Sequence, residues 1–372
     1  MSDARPSVLV IAQSARALAS AATRAGLRPL AVDFFADDDT AALGPVERVA
    51  GGFRCGFTRR NLLPAIDRLL ARTGAAPTAL VLGSGFEDRP RLIARLAERW
   101  PLAGCGADAV AAVKAPEGFA AACADLGIPH PPIARVVPKE GAFLVKRRAG
   151  TGGVHVRPAA PGPVPAGHYA QARVPGTPTS ALVLADGRGG RVLAYSRQWA
   201  DPSPDAPFRF AGVVGPVAPP PADAAIRAAA DALARRFGLV GLVSLDMLVD
   251  GADWWALEVN PRPGASLDAL DIVDKPLLGM HIAACRGGPV PPPAIDATIR
   301  ATLVTYATAD IRVPSAPVWP PHVLDRPAAG STVSAGWPIA TVVAEAADET
   351  SARRLAEERA VALKRSLGES ER

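Results

Sequence analysis

Asp246, Glu258 and Asn260 have the types and spacing to hold a divalent cation. They lie in LVSLDMLVDGADWWALEVNPRP, residues 242–263, where two apolar runs flank a short polar break. Side chains of a strand alternate between its faces, so the twelve positions from Asp246 to Glu258 require a hairpin loop with an odd number of residues if the carboxylates are to face each other. A three-residue loop at Gly251, Ala252 and Asp253 meets that condition. Asn260, two residues beyond Glu258, then points the same way. Mg²⁺ takes hard oxygen ligands and is usually held by one or two carboxylates together with phosphate oxygens, so this set suits a magnesium nucleotide. A hairpin with a merely polar outer face has the same pattern, which makes the rest of a nucleotide site necessary upstream.

That search is helped by the scarcity of lysine. Of 41 basic residues only five are lysines: Lys114, Lys139, Lys146, Lys275 and Lys364. Lys146 ends an apolar strand, AFLVK, and the RRAGTGGVHV that follows places Gly150, Thr151, Gly152 and Gly153 in a flexible loop. Glycines let backbone N–H groups approach phosphate oxygens without a Cβ in the way, while an ammonium offsets the phosphate charge. Rival nucleotide motifs are absent. No lysine follows a glycine, which excludes a Walker loop, and Gly83-Ser84-Gly85 and Gly104-Cys105-Gly106 lack the third glycine of a dinucleotide fingerprint. No HRD or DFG set of a protein kinase occurs either.

LEVNPRP closing a strand, after an acid in the preceding strand and downstream of Lys146 and its glycine loop, resembles the metal-binding end of ATP-grasp enzymes. The resemblance implies ATP with Mg²⁺ or Mn²⁺ as cofactors. It makes Lys114, in AAVKAPEGFAAACADLGIPHPP, the first nucleotide lysine and Lys146 the second, with Gly150, Thr151, Gly152 and Gly153 over the phosphates. Backbone groups of Gln171, Ala172, Arg173 and Val174, in YAQARVPGTPTSALVL, would read the adenine edge. Asp246, Glu258 and Asn260 would hold the metal, and Arg262, whose planar guanidinium can grip an oxyanion with two N–H groups, would serve the γ-phosphate or an acceptor carboxylate. The chain departs from the family at the hinge, where Gln171-Ala172 replaces the usual acid. Thr177-Pro178 stands where a ribose-binding acid is expected, and Arg147 replaces a common proline.

The implied reaction is phosphoryl transfer from ATP to a carboxylate and attack of an amine on the acylphosphate, a C–N ligation with Lys146 and Arg262 as the catalytic cations. DRPAAGSTVSAGWPIATVVAEA, GSGFEDRPRLI and GMHIAACRG are similar to a branch of ATP-grasp ligases that includes tyramine-glutamate ligase of methanofuran biosynthesis. This implies an amino acid such as glutamate as a substrate and a place in one-carbon carrier cofactor biosynthesis. Two alternatives stand beside it: other ATP-grasp chemistry, a carboxylase or a kinase, and a non-catalytic ATP-binding regulatory protein.

The elements that must position these residues fall into three blocks. Ser7 to Ala12, Ser14 to Ala25 and Pro29 to Phe34 alternate as strand, helix and strand, TALVLGSG ends another strand, and Arg89 to Trp100 is an amphipathic helix. Residues 1–113 are therefore expected to form an open α/β domain, a pre-ATP-grasp domain by the resemblance. Residues 114–290 follow as a two-part α+β ATP-grasp fold, with a small lid over 114–186 and a larger half over 187–290. A hairpin turns at Gly187 to Gly190, and Ala222 to Phe237 is helical up to Gly238. Ala200 to Pro221 holds seven prolines and is expected to be a long ordered loop. After prolines at 289–293, residues 294–372 form a β-rich extension, with strands at RATLVTYA and WPIATVVAEA and a helix that aligns Ala352, Ala356, Ala360, Leu363 and Leu367.

Composition bounds the function. The 372 residues are 49% hydrophobic and 21% charged, enough for a real core in two or three domains. The net charge of +5 comes from dispersed, mostly arginine residues, and aromatics make up only 5%, so nucleic acid is not an expected partner. Cys55, Cys105, Cys123 and Cys285 show no metal or redox spacing. No run suits a signal peptide or a membrane span, so a cytoplasmic location is expected. The expected partners are small-molecule carboxylate and amine substrates and, as a candidate, a second copy of the chain in a homodimer. His281 suits a structural histidine or a substrate contact, His155 a lid-surface residue beside the glycine loop, and Ser266 and Asp268 an acceptor contact or a helix cap. Arg209, in the proline-rich loop, is a candidate substrate residue, and a strand-end salt bridge is the alternative for Arg262.

Overall fold

In the computed structural model, which describes residues 5–271, 276–289 and 298–369, β1 (Ser7–Ile11) is buried along its whole length. An unbroken apolar run suits a parallel strand covered on both faces. It is followed by α1 (Arg16–Arg24), β2 (Arg28–Asp33), α2 (Asp38–Leu43), β3 (Val46–Arg48), α3 (Gly52–Cys55), α4 (Arg59–Thr73), β4 (Ala79–Leu82), α5 (Pro90–Ala97) and α6 (Ala107–Val113). The four strands are parallel in the order β3-β2-β1-β4, the open α/β arrangement that the alternation predicts. Pro90 opens α5, where a missing N–H costs nothing.

A helix, α7 (Pro116–Asp125), leads into β5 (Ile133–Ala134), β6 (Val136–Val137), β7 (Phe143–Arg147), β8 (Val156–Pro158), β9 (Gly162–Pro163) and β10 (His168–Ala172). Four of these form a small antiparallel sheet in the order β5-β10-β7-β8. Then β11 (Thr177–Asp186), β12 (Gly190–Ala200), β13 (Phe210–Val217), α8 (Asp223–Phe237), β14 (Val240–Asp250), β15 (Asp253–Asn260), α9 (Leu267–Leu270) and α10 (Leu277–Cys285) build the larger half. The chain ends with β16 (Ile299–Tyr306), β17 (Ile311–Arg312), β18 (Val323–Leu324), β19 (Thr332–Val333), β20 (Pro338–Ala346) and α11 (Glu349–Ser366).

One eight-stranded sheet, in the order β15-β14-β11-β12-β13-β16-β20-β18, runs through both of the last groups. Two sequence expectations change here. Residues 177–186 lie with the larger sheet and not with the lid, because this long apolar strand pairs over its full length with β14. The proline-rich stretch also contains a strand: FAGVVGPV has a single proline, Pro216, which sits at a register shift opposite β12, where the ladder does not use its missing N–H.

His281 ties α10 to the two sheets. It is fully buried, its Nδ1 accepts the Leu242 N–H at 2.8 Å, and its Nε2–H donates to Ala103 O at 2.9 Å. Gly241 lies at φ +77°, and a Cβ there would come within 2.4 Å of the ring. The histidine is structural, and burial pushes its pKa down to about 4. Replacing it with leucine leaves two buried backbone groups unpaired, an expected loss of roughly 2 to 4 kcal/mol in chemical denaturation. The unfolded chain takes up the His281 proton near pH 6.5 and the folded chain only near 4. The histidine's contribution to stability is therefore present above about 6.5 and lost as the pH falls from there toward 4. An unchanged acid limb in the leucine variant would contradict this.

Candidate active site

The β14–β15 hairpin carries the two carboxylates, but its loop is not the three residues expected. Asp250 pairs with Asp253, so the loop is Gly251 and Ala252 alone, with Gly251 at φ +58°. An even loop by itself would send the carboxylates to opposite faces. A β-bulge repairs the phase: Asp246 pairs with Glu258 and Met247 with Ala256, leaving Leu257 as the extra residue. Asp246 and Glu258 thus face each other after all.

Around Asp246, Asn260 Nδ2 donates to Oδ2 at 2.7 Å and Ser180 Oγ donates to Oδ1 at 2.6 Å. Ser180 lies directly across on β11 and was not singled out in the sequence. The available signal was a hydroxyl in an otherwise apolar run, TSALVL. Burial, with the neighbouring Glu258 charge, pushes the Asp246 carboxyl up to about 6. Burial also pushes Glu258 up, but Lys114 Nζ at 2.6 Å, with Lys146 and His155 beyond, outweighs it and holds the pKa below the usual value. Among the described residues no three His, Cys, Asp or Glu side chains converge on a metal site. The candidate set is two carboxylates and an amide oxygen, hard donors that fit Mg²⁺ or Mn²⁺, and the raised Asp246 carboxyl marks a paired negative charge that a cation would relieve.

Across the cleft, Lys146 stands on β7 opposite Tyr169 of β10. Its Nζ donates to Gln171 Oε1 at 2.5 Å, and Gln171 Nε2 lies 3.3 Å from His130 Nε2. A neutral amide thus occupies the position where the resemblance leads one to expect an acid. Burial and the nearby Lys114 lower the Lys146 pKa, against the opposing pull of Glu258 and Asp246.

The glycine loop is shaped by its neighbours. A Cβ on Gly150 would strike the His155 ring at 2.4 Å, and one on Gly153, at φ +71°, would lie 1.8 Å from Phe208 O. The Phe210 N–H donates to Gly152 O at 2.9 Å, so the loop docks on the strand β13 of the other half. Between lid and hairpin lies a cleft lined among others by Lys114, Lys146, Gly150, Gly152, His155 and Glu258.

At the hinge the backbone has less to offer than the sequence suggests. The N–H groups of Ala172 and Arg173 already donate to Pro132 O and Ala142 O, each at 2.8 Å, which leaves the Val174 N–H as the donor for an adenine edge. Arg262 Nε donates to Glu87 Oε1 at 2.7 Å, and Glu87 Oε2 accepts the Gly85 N–H at 2.8 Å. Glu87 is nearly fully buried. The sequence did not single it out, and its placement after β4, in the FEDRP turn, was the only hint. Asp268 pairs with Arg16 at 2.7 Å, and Arg209 bonds Asp201 and stacks 3.9 Å over Tyr306. Both are held by structural partners. Ser266 is buried and makes no capping bond to α9.

Residues 101–266 match the family model of the ATP-grasp domain. The chain carries an ATP-grasp domain. Its fold is similar over 95% of its length to 91% of the biotin carboxylase of Campylobacter jejuni in complex with β,γ-ATP, with a TM-score of 0.71 and 14% identity. The biotin carboxylase domain of Hydrogenobacter thermophilus 2-oxoglutarate carboxylase, bound to MgADP, ADP and bicarbonate, aligns with a TM-score of 0.69 and 13% identity, over 95% of this chain and 90% of that one. Phosphoribosylamine–glycine ligase of Thermotoga maritima aligns with a TM-score of 0.65 and 17% identity, over 95% of each chain. At these identities the likeness is one of ATP-grasp fold. No curated protein matches the sequence. Among the described residues no helix is long and apolar enough to cross a membrane.

Proposed function

We propose that this protein is an ATP-dependent carboxylate–amine ligase. One observation carries the reading: a cleft lined by two lysines, a glycine loop and Glu258, with Asp246 paired to Glu258 across the hairpin. Lys146 and the backbone of Gly150–Gly153 would hold the phosphates from the lid, and the Val174 N–H would meet the adenine edge. Asp246, Glu258 and Asn260 would hold Mg²⁺, which when bound neutralises phosphate charge. Arg262, kept in place by Glu87, would face the transferring phosphoryl group or the acceptor carboxylate. The carboxylate oxygen attacks the γ-phosphorus and ADP leaves. An amine then attacks the acyl carbon, phosphate leaves, and the nitrogen loses a proton. Position and charge supply the catalysis, with no protein nucleophile.

The resemblance of the C-terminal segment and of GMHIAACRG supports an amino acid such as glutamate as one substrate, in biosynthesis of a one-carbon carrier cofactor. ADP release measured across pairs of carboxylates and amines tests this directly. Release that depends on both partners is the expected result. Release with bicarbonate alone would mean a carboxylase, and no release with any pair would set the ligase reading aside.

The pH profile is a second test. The Asp246 carboxyl keeps its proton up to about 6, whereas an ordinary aspartate loses it near 3.8. Below about pH 6 a proton therefore competes with the cation, and kcat/KM for Mg²⁺ should fall about tenfold per pH unit. A profile flat down to pH 5 would remove Asp246 from the metal set.

A further inference from the structure

The Lys114 ammonium is bonded to the atoms that the metal reading needs. It has three protons, and three oxygens at the end of β15 lie in reach: Glu258 Oε2 at 2.6 Å, Asn260 Oδ1 at 3.2 Å and Val259 O at 3.4 Å. The lysine side chain is 4% exposed and that of Glu258 is 40% exposed. The ammonium therefore meets the carboxylate from the protein side, while the carboxylate stays open to the cleft. Asn260 is fixed between the two charges, with its amide N–H on Asp246 and its oxygen toward Lys114. The lysine itself is tethered at the C-terminal cap of α6, where its N–H donates to Val110 O at 3.1 Å.

We propose that Lys114 is a built-in counter-cation: it competes with the divalent ion for Glu258 and Asn260, and nucleotide phosphates release that competition by attracting the ammonium to themselves. The inference rests on the nucleotide and metal reading above. A lysine in this place does more than add charge beside the phosphates. It lowers metal affinity while no nucleotide is bound, because two cations at one carboxylate repel and must share its oxygens. Once the phosphates draw the ammonium away, Glu258 and Asn260 are free for the metal. Linkage makes the effect mutual, so bound metal favours nucleotide by the same factor.

The test is a titration of the full-length protein with Mn²⁺ in the absence of nucleotide, following free Mn²⁺ by electron paramagnetic resonance. Lys114→Met and Lys114→Gln should bind Mn²⁺ at least about tenfold tighter than the wild type, while Lys114→Arg, which keeps the charge, should bind like the wild type. Lys114→Gln retains hydrogen-bond donors and serves if the methionine variant does not fold. Glu258→Gln in the same titration reports the metal site itself. If it weakens Mn²⁺ binding while Lys114→Gln binds no tighter than the wild type, the counter-cation is overturned and the metal site stands. If Glu258→Gln leaves Mn²⁺ binding unchanged, the metal assignment fails and the counter-cation fails with it.

Discussion

Glu258→Gln should reduce ADP release about a hundred- to a thousandfold while the protein remains folded. The substitution keeps side-chain volume and removes one negative charge from a residue whose side chain is 40% open to the cleft. Two electrostatic effects then oppose each other. Lys114 loses its anionic partner, although Asn260 Oδ1 and Val259 O still accept from it. Asp246 loses the neighbouring carboxylate that helps to raise its pKa, so its carboxyl should ionise at lower pH. The melting temperature should change by no more than a few degrees, in contrast with the loss of turnover. Turnover equal to the wild type at limiting Mg²⁺ would show that Glu258 is not a metal ligand.

How much of this site could be read from the sequence depends on whether the signal was local. Lysine is rare here, so Lys146 before a glycine loop and Lys114 one helix before GIPHP stood out. The spacing of Asp246 and Glu258 predicted opposed carboxylates, and they are opposed, but through a two-residue loop and a bulge at Leu257 in place of three loop residues. A loop residue and a bulge residue shift the strand phase equally, and alternation of apolar side chains does not distinguish them. Contacts distant in sequence left no such trace. Glu87 meets Arg262 across 175 positions and Lys114 meets Glu258 across 144, and neither partner's neighbourhood in the chain announces the other. Strand β13 was hidden for another reason. Its flanking prolines dominate the composition of residues 200–221, although only Pro216 falls within the ladder.

The hinge shows a similar limit. Sequence resemblance marked Gln171 to Val174 as a unit, whereas pairing of β10 with its neighbours uses the N–H groups of Ala172 and Arg173. The Gln171 side chain joins Lys146 to His130. With an amide in place of an acid, Lys146 has no carboxylate as its immediate partner, and its positive charge is directed to the cleft.

Lys146→Ala should weaken ATP binding by about 2 to 4 kcal/mol, thirty- to a thousandfold, and leave adenosine binding nearly unchanged. Lys146 is held on β7 between Tyr169 of β10 and Val156 of β8, and its ammonium donates to Gln171 Oε1, so its position is set by the sheet before any ligand arrives. Its contribution should also depend on the glycine loop, which packs on Phe208 and Phe210 and is expected to fold over the phosphates when nucleotide binds. A charge in such a place is poorly screened and acts on phosphates much more than on a neutral nucleoside. The lysine's lowered pKa sharpens the test: burial and Lys114 already oppose its charge, so the phosphates should raise that pKa when they bind, with uptake of a fraction of a proton at alkaline pH. Calorimetry in buffers of different ionisation enthalpy measures both the affinity and that uptake. Equal ATP affinity for the alanine variant and the wild type would make Lys146 an ordinary strand lysine, and the phosphate role of residues 147–155 would go with it.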